Sequence, residues 1–352
     1  MLVFQLVAGL LLLVGGAELL VRGASAIALR LGVSSLIVSL TLVSIGTSAP
    51  EVFVTVQAGV TGRTDLALGN VIGSNVANVG LVIGICGLFR ALTAGRRLLR
   101  FDLPVVVFMT VLVGVLGYWD GGLSTFDGAL LFALFLAYMA RTVRTGLLQA
   151  QAHGQAMPGQ RRGLRGADWL LYGAMFAGGL AGLVLGSRWL VDGASAFALR
   201  FGMPESLVGS TIVAIGTSLP EVATSLVATL RNDLGVAIGN AVGSCIANLG
   251  LVLGAGCLAA GSMAVPEHLI RNEITVAVLL SVILLLFLTT QGKVIRAEAW
   301  MLLLGYITYF VLVTQTGTAS PLPIVPALLV AYAVLLALVV RTGLPSPGRR
   351  SP

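Results

Sequence analysis

The sequence predicts an all-α integral membrane protein in which a five-helix unit occurs twice with inverted topology, followed by one extra C-terminal span. Three observations support this prediction. The 352 residues are 57% hydrophobic and only 10% charged, whereas about a quarter of the residues of a soluble domain are charged. The apolar blocks are each long enough to cross a bilayer, which takes about 20 residues. The two halves of the chain also repeat one another.

The apolar blocks number eleven, and short polar or glycine-containing segments separate them. The second and the seventh block each contain a glutamate near the middle. The first block is too long for the hydrophobic region of a cleavable signal, and no basic segment precedes it. The predicted spans are roughly 2–29, 34–60, 66–90, 101–118, 124–145, 168–199, 204–231, 235–260, 269–290, 296–315 and 322–341.

The repeat has an offset of 170 residues without a gap over its best-matched part. The matching segments are LLVRGASAIALRLG (19–32) with WLVDGASAFALRFG (189–202), GTSAPE (46–51) with GTSLPE (216–221), and LALGNVIGSNVANVGLVIG (66–84) with VAIGNAVGSCIANLGLVLG (236–254). Each repeat holds five spans, and this odd number makes the second repeat enter the membrane from the opposite side. The predicted units are the first repeat (1–145), a linker (146–167), the second repeat (168–316), and an extra span with a tail (317–352).

The basic residues follow the sides of the membrane and do not indicate a nucleic-acid partner. With the N-terminus outside, the inner loops and the tail hold most of the arginines, as the positive-inside rule predicts. The outer loops hold little beyond Arg63, Arg200 and Arg271. This distribution explains the net charge of +7. We expect a multi-pass protein of the cell (inner) membrane with the linker and the C-terminus in the cytoplasm.

Each GTS-x-PE motif combines a break in a helix with an acid inside an apolar span. Pro50 and Pro220 lack an N–H and clash with the carbonyl four residues earlier, so each helix must kink or break. Carbonyl oxygens near 44–47 and 214–217 then lose helical partners. Such backbone is tolerated within a membrane only where it lines a protein cavity.

Oxygen-bearing side chains cluster around the two glutamates. Helical spacing places Thr47 and Ser48 beside Glu51, and Ser74 and Asn78 lie four residues apart on one face of the next span. Such oxygens suit hard cations such as Ca²⁺ and Na⁺, whereas softer metals favour thiolate and imidazole. An ionised group at mid-bilayer costs roughly 3 kcal/mol or more, so a twofold occurrence indicates an ion site. The second repeat has the matching set Thr217, Ser218, Glu221, Ser244 and Asn248.

The remaining reactive side chains indicate no second site. Cys86, Cys245 and Cys257 lie in apolar spans without the spacing of metal ligands, and we expect free buried thiols. His153 falls in the linker and His268 at the entrance to a span, so no histidine within a span can serve a serine nucleophile. The sequence also contains no P-loop, which argues against an ATP-driven pump.

The two GTS-x-PE and GN-x-x-GS blocks resemble the paired repeats of the cation/calcium exchanger superfamily, and most closely its prokaryotic sodium/calcium exchanger branch. The resemblance covers roughly residues 1–315 and implies that the first and sixth spans slide across the other eight core spans. Family members of the sodium/calcium type commonly carry an aspartate where this chain has Asn248. The ligands that the resemblance implies are Glu51, Glu221, Thr47, Ser48, Ser74, Asn78, Thr217, Ser218, Ser244 and Asn248, with the carbonyls of Ser44 and Ala214.

These observations favour a secondary antiporter, not an enzyme, that exchanges Ca²⁺ for Na⁺ by alternating access at a midplane site with two glutamates. An empty site with two ionised carboxylates is costly to enclose, whereas one Ca²⁺ or two or more Na⁺ ions cancel the charge. One alternative is a Ca²⁺/H⁺ antiporter, in which protons neutralise the pair. An alternative from another class is a cation channel, although channel rings usually come from symmetric subunits. We expect no cofactor, Ca²⁺ and Na⁺ as transported ions, the lipid bilayer as the surroundings, and a monomer as the functional unit.

Overall fold

The computed structural model describes residues 2–156, 166–203, 212, 214–267 and 269–315. Almost all of these residues are helical. The first repeat contains α1 (Leu2–Leu31), α2 (Ser35–Thr47), α3 (Ala49–Val60), α4 (Thr64–Phe89), α5 (Leu98–Asp120) and α6 (Thr125–Ala156). The second repeat contains α7 (Gly166–Arg200), a short helical segment (Ala214–Gly216), α8 (Leu219–Leu230), α9 (Leu234–Ala260), α10 (Leu269–Thr290) and α11 (Arg296–Gln315).

The helices confirm the prediction of an all-α membrane protein. Among the described residues, seven helices are long and apolar enough to cross a membrane, and α2 and α3 form an eighth span that is bent by 45°. α8 covers the C-terminal part of the predicted span at 204–231, of which 204–211 lies outside the described residues. The extra span predicted at 322–341 and the C-terminal tail lie outside them as well.

Helix α6 is longer than the sequence analysis predicted. We expected its span to end at position 145 and the linker to occupy 146–167, but α6 continues through Ala156. The added segment, LLQAQAHGQA (147–156), consists mostly of good helix formers. The next proline in the sequence is Pro158, and proline is disfavoured in the interior of a helix. The remainder of the predicted linker, 157–165, lies outside the described residues.

Short strands join the two repeats at both ends of the helix bundle. β1 (Leu92–Thr93) pairs antiparallel with β4 (Lys293–Val294), and β2 (Gly122–Ser124) pairs antiparallel with β3 (Ser262–Ala264). β1 and β3 follow the third span of their repeats, whereas β2 and β4 follow the fourth. Each repeat therefore contributes one loop to each pairing, and the inverted symmetry relates one pairing to the other.

The contacts between loops agree with five spans per repeat. When the spans alternate from an outside N-terminus, β1 and β4 fall on the cytoplasmic side and β2 and β3 on the outer side, as their pairing requires. An even number of spans in the first repeat would put paired strands on opposite sides. The loop that contains Asp233 also falls on the predicted cytoplasmic side, where α1 ends and α2 begins. Its carboxylate accepts hydrogen bonds from Ser25 of α1 and Ser35 of α2, both at 2.7 Å.

The orientation in the membrane stays a prediction that thiol labelling can test. A cysteine introduced at Leu2 should react with an impermeant thiol reagent only from outside, and one introduced at Gln160 only from the cytoplasmic side. The native cysteines within the described residues are buried and should give little background. Labelling of both positions from the same side would contradict the odd number of spans.

α1 and α7 are packed against each other as an antiparallel pair. Gly9, Gly16 and Gly23 of α1 are spaced seven residues apart, and each faces the backbone of α7; a Cβ added at Gly16 would lie 2.6 Å from the backbone nitrogen of Leu183. Small residues allow membrane helices to approach this closely. The apolar cluster that these two helices form with one face of α2 and of α8 is distinct from the large cluster of the other helices, although Val21 of α1 belongs to the large cluster and Val227 of α8 packs against both.

Candidate cation-binding site

Both motif helices break where the sequence analysis predicted. Ser48 separates α2 from α3 with backbone angles of φ −81° and ψ 4°, and Ser218 precedes α8 with φ −87° and ψ 0°. Pro50 lies in the first turn of α3, where it has no N–H to donate to the carbonyl of Gly46. The break therefore starts a new helix inside the span.

Each glutamate lies in the first turn of the helix that follows the break. Glu51 is the third residue of α3, and Glu221 is the third residue of α8. The N-terminus of a helix carries partial positive charge and stabilises an acidic side chain there. Both side chains are fully buried. A buried pair of like charges needs a cation or a proton to compensate it.

A wider helical turn marks the next span of each repeat. α4 changes to a π-helix at Asn78–Val82, and α9 does so at Asn248–Val252. Such turns occur frequently at functional sites, although the described residues contain three more, at Ser39–Val43, Leu98–Asp102 and Leu269–Ile274. Both asparagines are fully buried, so a predicted ligand coincides with the irregular turn in each repeat.

One oxygen of each carboxylate has a hydroxyl partner. Ser74 Oγ donates to Glu51 Oε1 at 3.4 Å, and Ser244 Oγ donates to Glu221 Oε1 at 3.5 Å. The hydroxyl of Ser48 is buried and has no hydrogen-bond partner. Hydroxyl donors usually approach a carboxylate to about 2.5–2.7 Å. The longer contacts leave these oxygens accessible to another ligand.

Polar side chains of the two repeats contact each other between the glutamates. Thr47 Oγ1 donates to Asn240 Oδ1 at 3.1 Å and lies 3.3 Å from Ser244 Oγ. From the second motif, Ser218 Oγ lies 3.2 Å from Ser74 Oγ, which is not the symmetry counterpart of the Thr47–Ser244 contact. Each motif therefore contacts the third span of the opposite repeat, so neither repeat forms this cluster alone.

Ser48 Oγ is buried without a hydrogen-bond partner, and so are four oxygens of the glutamates and the asparagines: Glu51 Oε2, Glu221 Oε2, Asn78 Oδ1 and Asn248 Oδ1. Unpaired polar atoms in protein interiors are rare and cost roughly 1–3 kcal/mol each, with more for charged groups. Here the four oxygens of the glutamates and the asparagines occur at matching positions of both repeats. Such an arrangement fits a site that presents oxygen atoms to a cation.

The structure brings most of the residues named from the sequence into one cluster. Asn78 and Asn248 lie one turn beyond the serines of α4 and α9, and Thr217 is half-buried at the break before α8. Ala214 begins the short helical segment before that break. Hydrogen bonds join Ser74 and, through it, Ser218 to Glu51, and Ser244 and, through it, Thr47 to Glu221. Ser48, next to Thr47 in the chain, is fully buried.

We expected the carbonyl oxygen of Ser44 to lack a hydrogen-bond partner, but in the structure it has two. It accepts the N–H of Ser48 at 3.0 Å and the hydroxyl of Thr47 at a longer 3.4 Å. Regular helical hydrogen bonding therefore continues up to Ser48, and it is Gly46 that faces a proline without an N–H. A carbonyl oxygen has two lone pairs. The carbonyl oxygen of Ser44 can therefore bind a cation only if the longer contact with Thr47 gives way.

Two asparagines that the sequence analysis did not name as site residues support the glutamates. Asn70 Nδ2 lies 3.4 Å from the carbonyl oxygen of Glu51 and 2.9 Å from Thr55 Oγ1. Asn240 makes the equivalent contacts in the second repeat, at 3.3 Å and 3.0 Å. Each asparagine precedes the predicted serine of its span by four residues, which puts both on one helical face. The spacing of four residues between each asparagine and the predicted serine could have identified these asparagines from the sequence.

Neutral groups supply the rest of the polar cluster. The part of the chain that the structure describes contains no group of three or more histidine, cysteine, aspartate and glutamate side chains suited to a metal ion. The three cysteines are buried and free, which confirms that prediction. The two carboxylates therefore carry the formal charge, and hydroxyls and amides surround them.

Comparison with known proteins gives matches over both repeats. The protein family described as "Sodium/calcium exchanger protein" matches residues 1–144 and 171–315. A protein named as an antiporter, CaxA of Alkalimonas amylolytica, is 36% identical over 318 residues, which cover 87% of this chain and 96% of CaxA. The sodium/calcium exchanger MaX1 of Methanosarcina acetivorans is 30% identical over 338 residues, which cover 87% of this chain and 96% of MaX1.

A solved structure has the same fold. It is the sodium-calcium exchanger NCX_Mj soaked with zero Na⁺ and Ca²⁺, and it matches with a TM-score of 0.76 at 30% sequence identity. The match covers 87% of this chain and 96% of that chain. The inverted-repeat architecture is thus shared over both repeats.

Proposed function

We propose that this chain, which belongs to the sodium/calcium exchanger protein family, exchanges Ca²⁺ for Na⁺ across the membrane by alternating access. That it is a multi-pass membrane antiporter of cations follows from the family and from the shared fold. Our proposal adds the identity of the exchanged ions and the position of the site between Glu51 and Glu221.

The observation that supports this site is a pair of fully buried carboxylates, each with an unpaired oxygen. A dication between them would compensate both charges. Ca²⁺ takes six to eight oxygen ligands and accepts irregular geometry, which suits a mixture of carboxylates, amides and hydroxyls. The proposed ligands are Glu51, Glu221, Thr47, Ser48, Ser74, Asn78, Thr217, Ser218, Ser244 and Asn248, with the carbonyls of Ser44 and Ala214.

Charge compensation gives a reason for strict exchange. The carboxylates of Glu51 and Glu221 have no exposure to solvent, and enclosing two uncompensated charges is costly. One Ca²⁺, or two or more Na⁺ ions, removes that cost, so the loaded site can change the side to which it opens. An empty site with both carboxylates charged cannot, and influx of one ion is thereby tied to efflux of the other.

The α1–α7 pair is our candidate for the moving part. Its apolar cluster is distinct from that of the other helices, and the faces of α2 and α8 that it covers belong to the broken spans. A shift of the pair along those faces would uncover the two breaks from one side or the other. The full burial of Glu51 and Glu221 fits an enclosed carrier site better than an open cation channel.

We also propose the cellular setting. The distribution of the arginines supports a cytoplasmic linker and C-terminus and an outer N-terminus, in the cell (inner) membrane. One chain contains both halves of the polar cluster, so a monomer is sufficient for transport. Ca²⁺ and Na⁺ are the transported ions, and no cofactor is required.

Uptake of ⁴⁵Ca²⁺ into proteoliposomes tests the exchanged ions. Vesicles loaded with Na⁺ and diluted into Na⁺-free buffer should accumulate ⁴⁵Ca²⁺, and vesicles without a Na⁺ gradient should not. Equal uptake driven by a pH gradient in the absence of Na⁺ would replace Na⁺ by H⁺ in the proposal. Uptake driven by an electrical potential alone, without a counter-ion, would indicate a channel.

A further inference from the structure

Spans α4 and α9 contact each other at a pair of residues that differ between the repeats. Asn75 in α4 and Cys245 in α9 occupy matching positions at the repeat offset of 170, and both are buried. Asn75 Nδ2 donates to the backbone carbonyl of Cys245 at 3.3 Å, and Cys245 Sγ lies 3.9 Å from the backbone carbonyl of Asn75. α4 therefore contributes an amide side chain to this contact, and α9 contributes a thiol.

The backbone carbonyl of Cys245 sets the direction of a short chain of hydrogen bonds. A carbonyl oxygen can only accept, so the amide nitrogen of Asn75 faces Cys245 and its Oδ1 faces away. That Oδ1 accepts a hydrogen bond from Asn248 Nδ2 at 3.1 Å. The nitrogen of Asn248 is thereby engaged, and its Oδ1 is buried without a partner.

Asn78, the counterpart of Asn248 in the first repeat, has no such contact. By the repeat symmetry its partner would be the side chain at position 245, which is a cysteine and accepts hydrogen bonds only weakly. Both Oδ1 and Nδ2 of Asn78 are buried without hydrogen bonds. The structure thus orients one of the two amides and leaves the other without a side-chain anchor.

We propose that Asn75 is a positioning residue for Ca²⁺, which holds the amide of Asn248 with its oxygen toward the cation. The inference rests on the proposed function, because it assumes a cation between Glu51 and Glu221. Orientation matters at position 248 because a carboxamide has one oxygen, whereas a carboxylate presents oxygen in either orientation. Without Asn75, the amide can turn its N–H groups toward the cation, which repels them.

Calorimetric titration of the purified full-length protein with Ca²⁺ tests the role of Asn75. Asn75→Ala is expected to raise the Kd for Ca²⁺ by about 3- to 10-fold, the equivalent of one neutral hydrogen bond. In an Asn248→Ala background the same substitution should change the Kd no further, because Asn75 acts through Asn248. The melting temperature of each variant separates this effect from a loss of folding.

An exchange of the two contacting residues provides the matched control. The double variant Asn75→Cys with Cys245→Asn moves the asparagine to α9, where it is placed to orient Asn78. We expect a Kd close to that of the wild type, and the same chain of hydrogen bonds in the opposite direction. This variant keeps the composition of the contact, so it also decides the matter if Asn75→Ala does not fold.

The outcomes separate this inference from the proposed function. An unchanged Kd for Asn75→Ala, or an equal rise in both backgrounds, would overturn the role of Asn75 while Ca²⁺ binding by the wild type still supports the function. A folded exchange variant whose Kd rises about 3-fold or more, as expected for Asn75→Ala, would overturn it as well. Failure of the wild type to bind or transport Ca²⁺ would overturn the proposed function itself, and the inference with it.

Discussion

Replacing Glu221 by glutamine is expected to abolish Na⁺-driven Ca²⁺ uptake while the protein still folds. The substitution removes one of the two buried carboxylates and leaves a dication facing a single charge. Loss of one partner from a buried charged contact costs about 2–5 kcal/mol, so we expect Ca²⁺ affinity to fall by about 30-fold or more. Glutamine has nearly the same shape, and one fewer buried charge favours folding. Uptake of ⁴⁵Ca²⁺ and the melting temperature measure the two effects.

Glu51→Gln is the matching variant in the first repeat, and we expect the same loss of transport from it. Glu267→Gln is the control. Glu267 is exposed, forms an ion pair with Arg271 four residues later, and is not part of the polar cluster. That variant should transport Ca²⁺ like the wild type. If Glu221→Gln retains most of the calcium flux, the proposed site is in the wrong place.

Gly179→Val is expected to have the largest effect on the packing of the helices. A Cβ at this position would lie 2.4 Å from the backbone nitrogen of Leu20 and 2.7 Å from the carbonyl oxygen of Gly16. These are backbone atoms of α1, so no side chain can move aside, and α1 and α7 must separate. Overpacking costs about 1–3 kcal/mol even where side chains can adjust. We expect at least the upper end of that range, together with loss of transport.

Gly178→Val is the matched control for this prediction. The two glycines are adjacent in α7 and share the same helical conformation, so the intrinsic cost of valine in a helix is equal for both. A Cβ at Gly178 meets no atom within 4 Å. Thermal unfolding of the purified proteins should therefore show a clear drop in melting temperature for Gly179→Val only. Equal melting temperatures for the two variants would contradict the close contact between α1 and α7.

The repeat in the sequence was the strongest guide to the fold and to the candidate site. A glutamate after Gly-Thr-Ser-x-Pro in each half predicted two broken helices, and the structure has the breaks at Ser48 and Ser218. Ser74 and Ser244 of the next spans also lie near Glu51 and Glu221. Thr47, which helical spacing placed beside Glu51, contacts Asn240 and Ser244 of the other repeat instead. The effect of proline is local and depends little on the rest of the molecule, whereas helical periodicity does not hold across the break at Ser48.

Other features depend on contacts between distant segments, which a single sequence does not display. The strands β1 to β4 are only two or three residues long and carry no alternating pattern. The contact between Asn240 and Thr47 joins residues 193 positions apart. Helix α6 extends beyond its predicted span because a polar sequence of good helix formers can continue a helix past the bilayer. Hydropathy marks the edge of the membrane, not the end of the helix.

The two strand pairings have the form of an isologous interface, in which a segment of one unit contacts a second segment of the other, and the reverse contact is made as well. Two identical five-helix chains in opposite orientations would satisfy such an interface equally well. In a homodimer, however, a residue on the two-fold axis must face its own copy. A fused chain is free of this restriction, so it can set Asn75 against Cys245. Fusion thereby allows a symmetric framework to enclose a hydrogen-bond chain that runs in one direction.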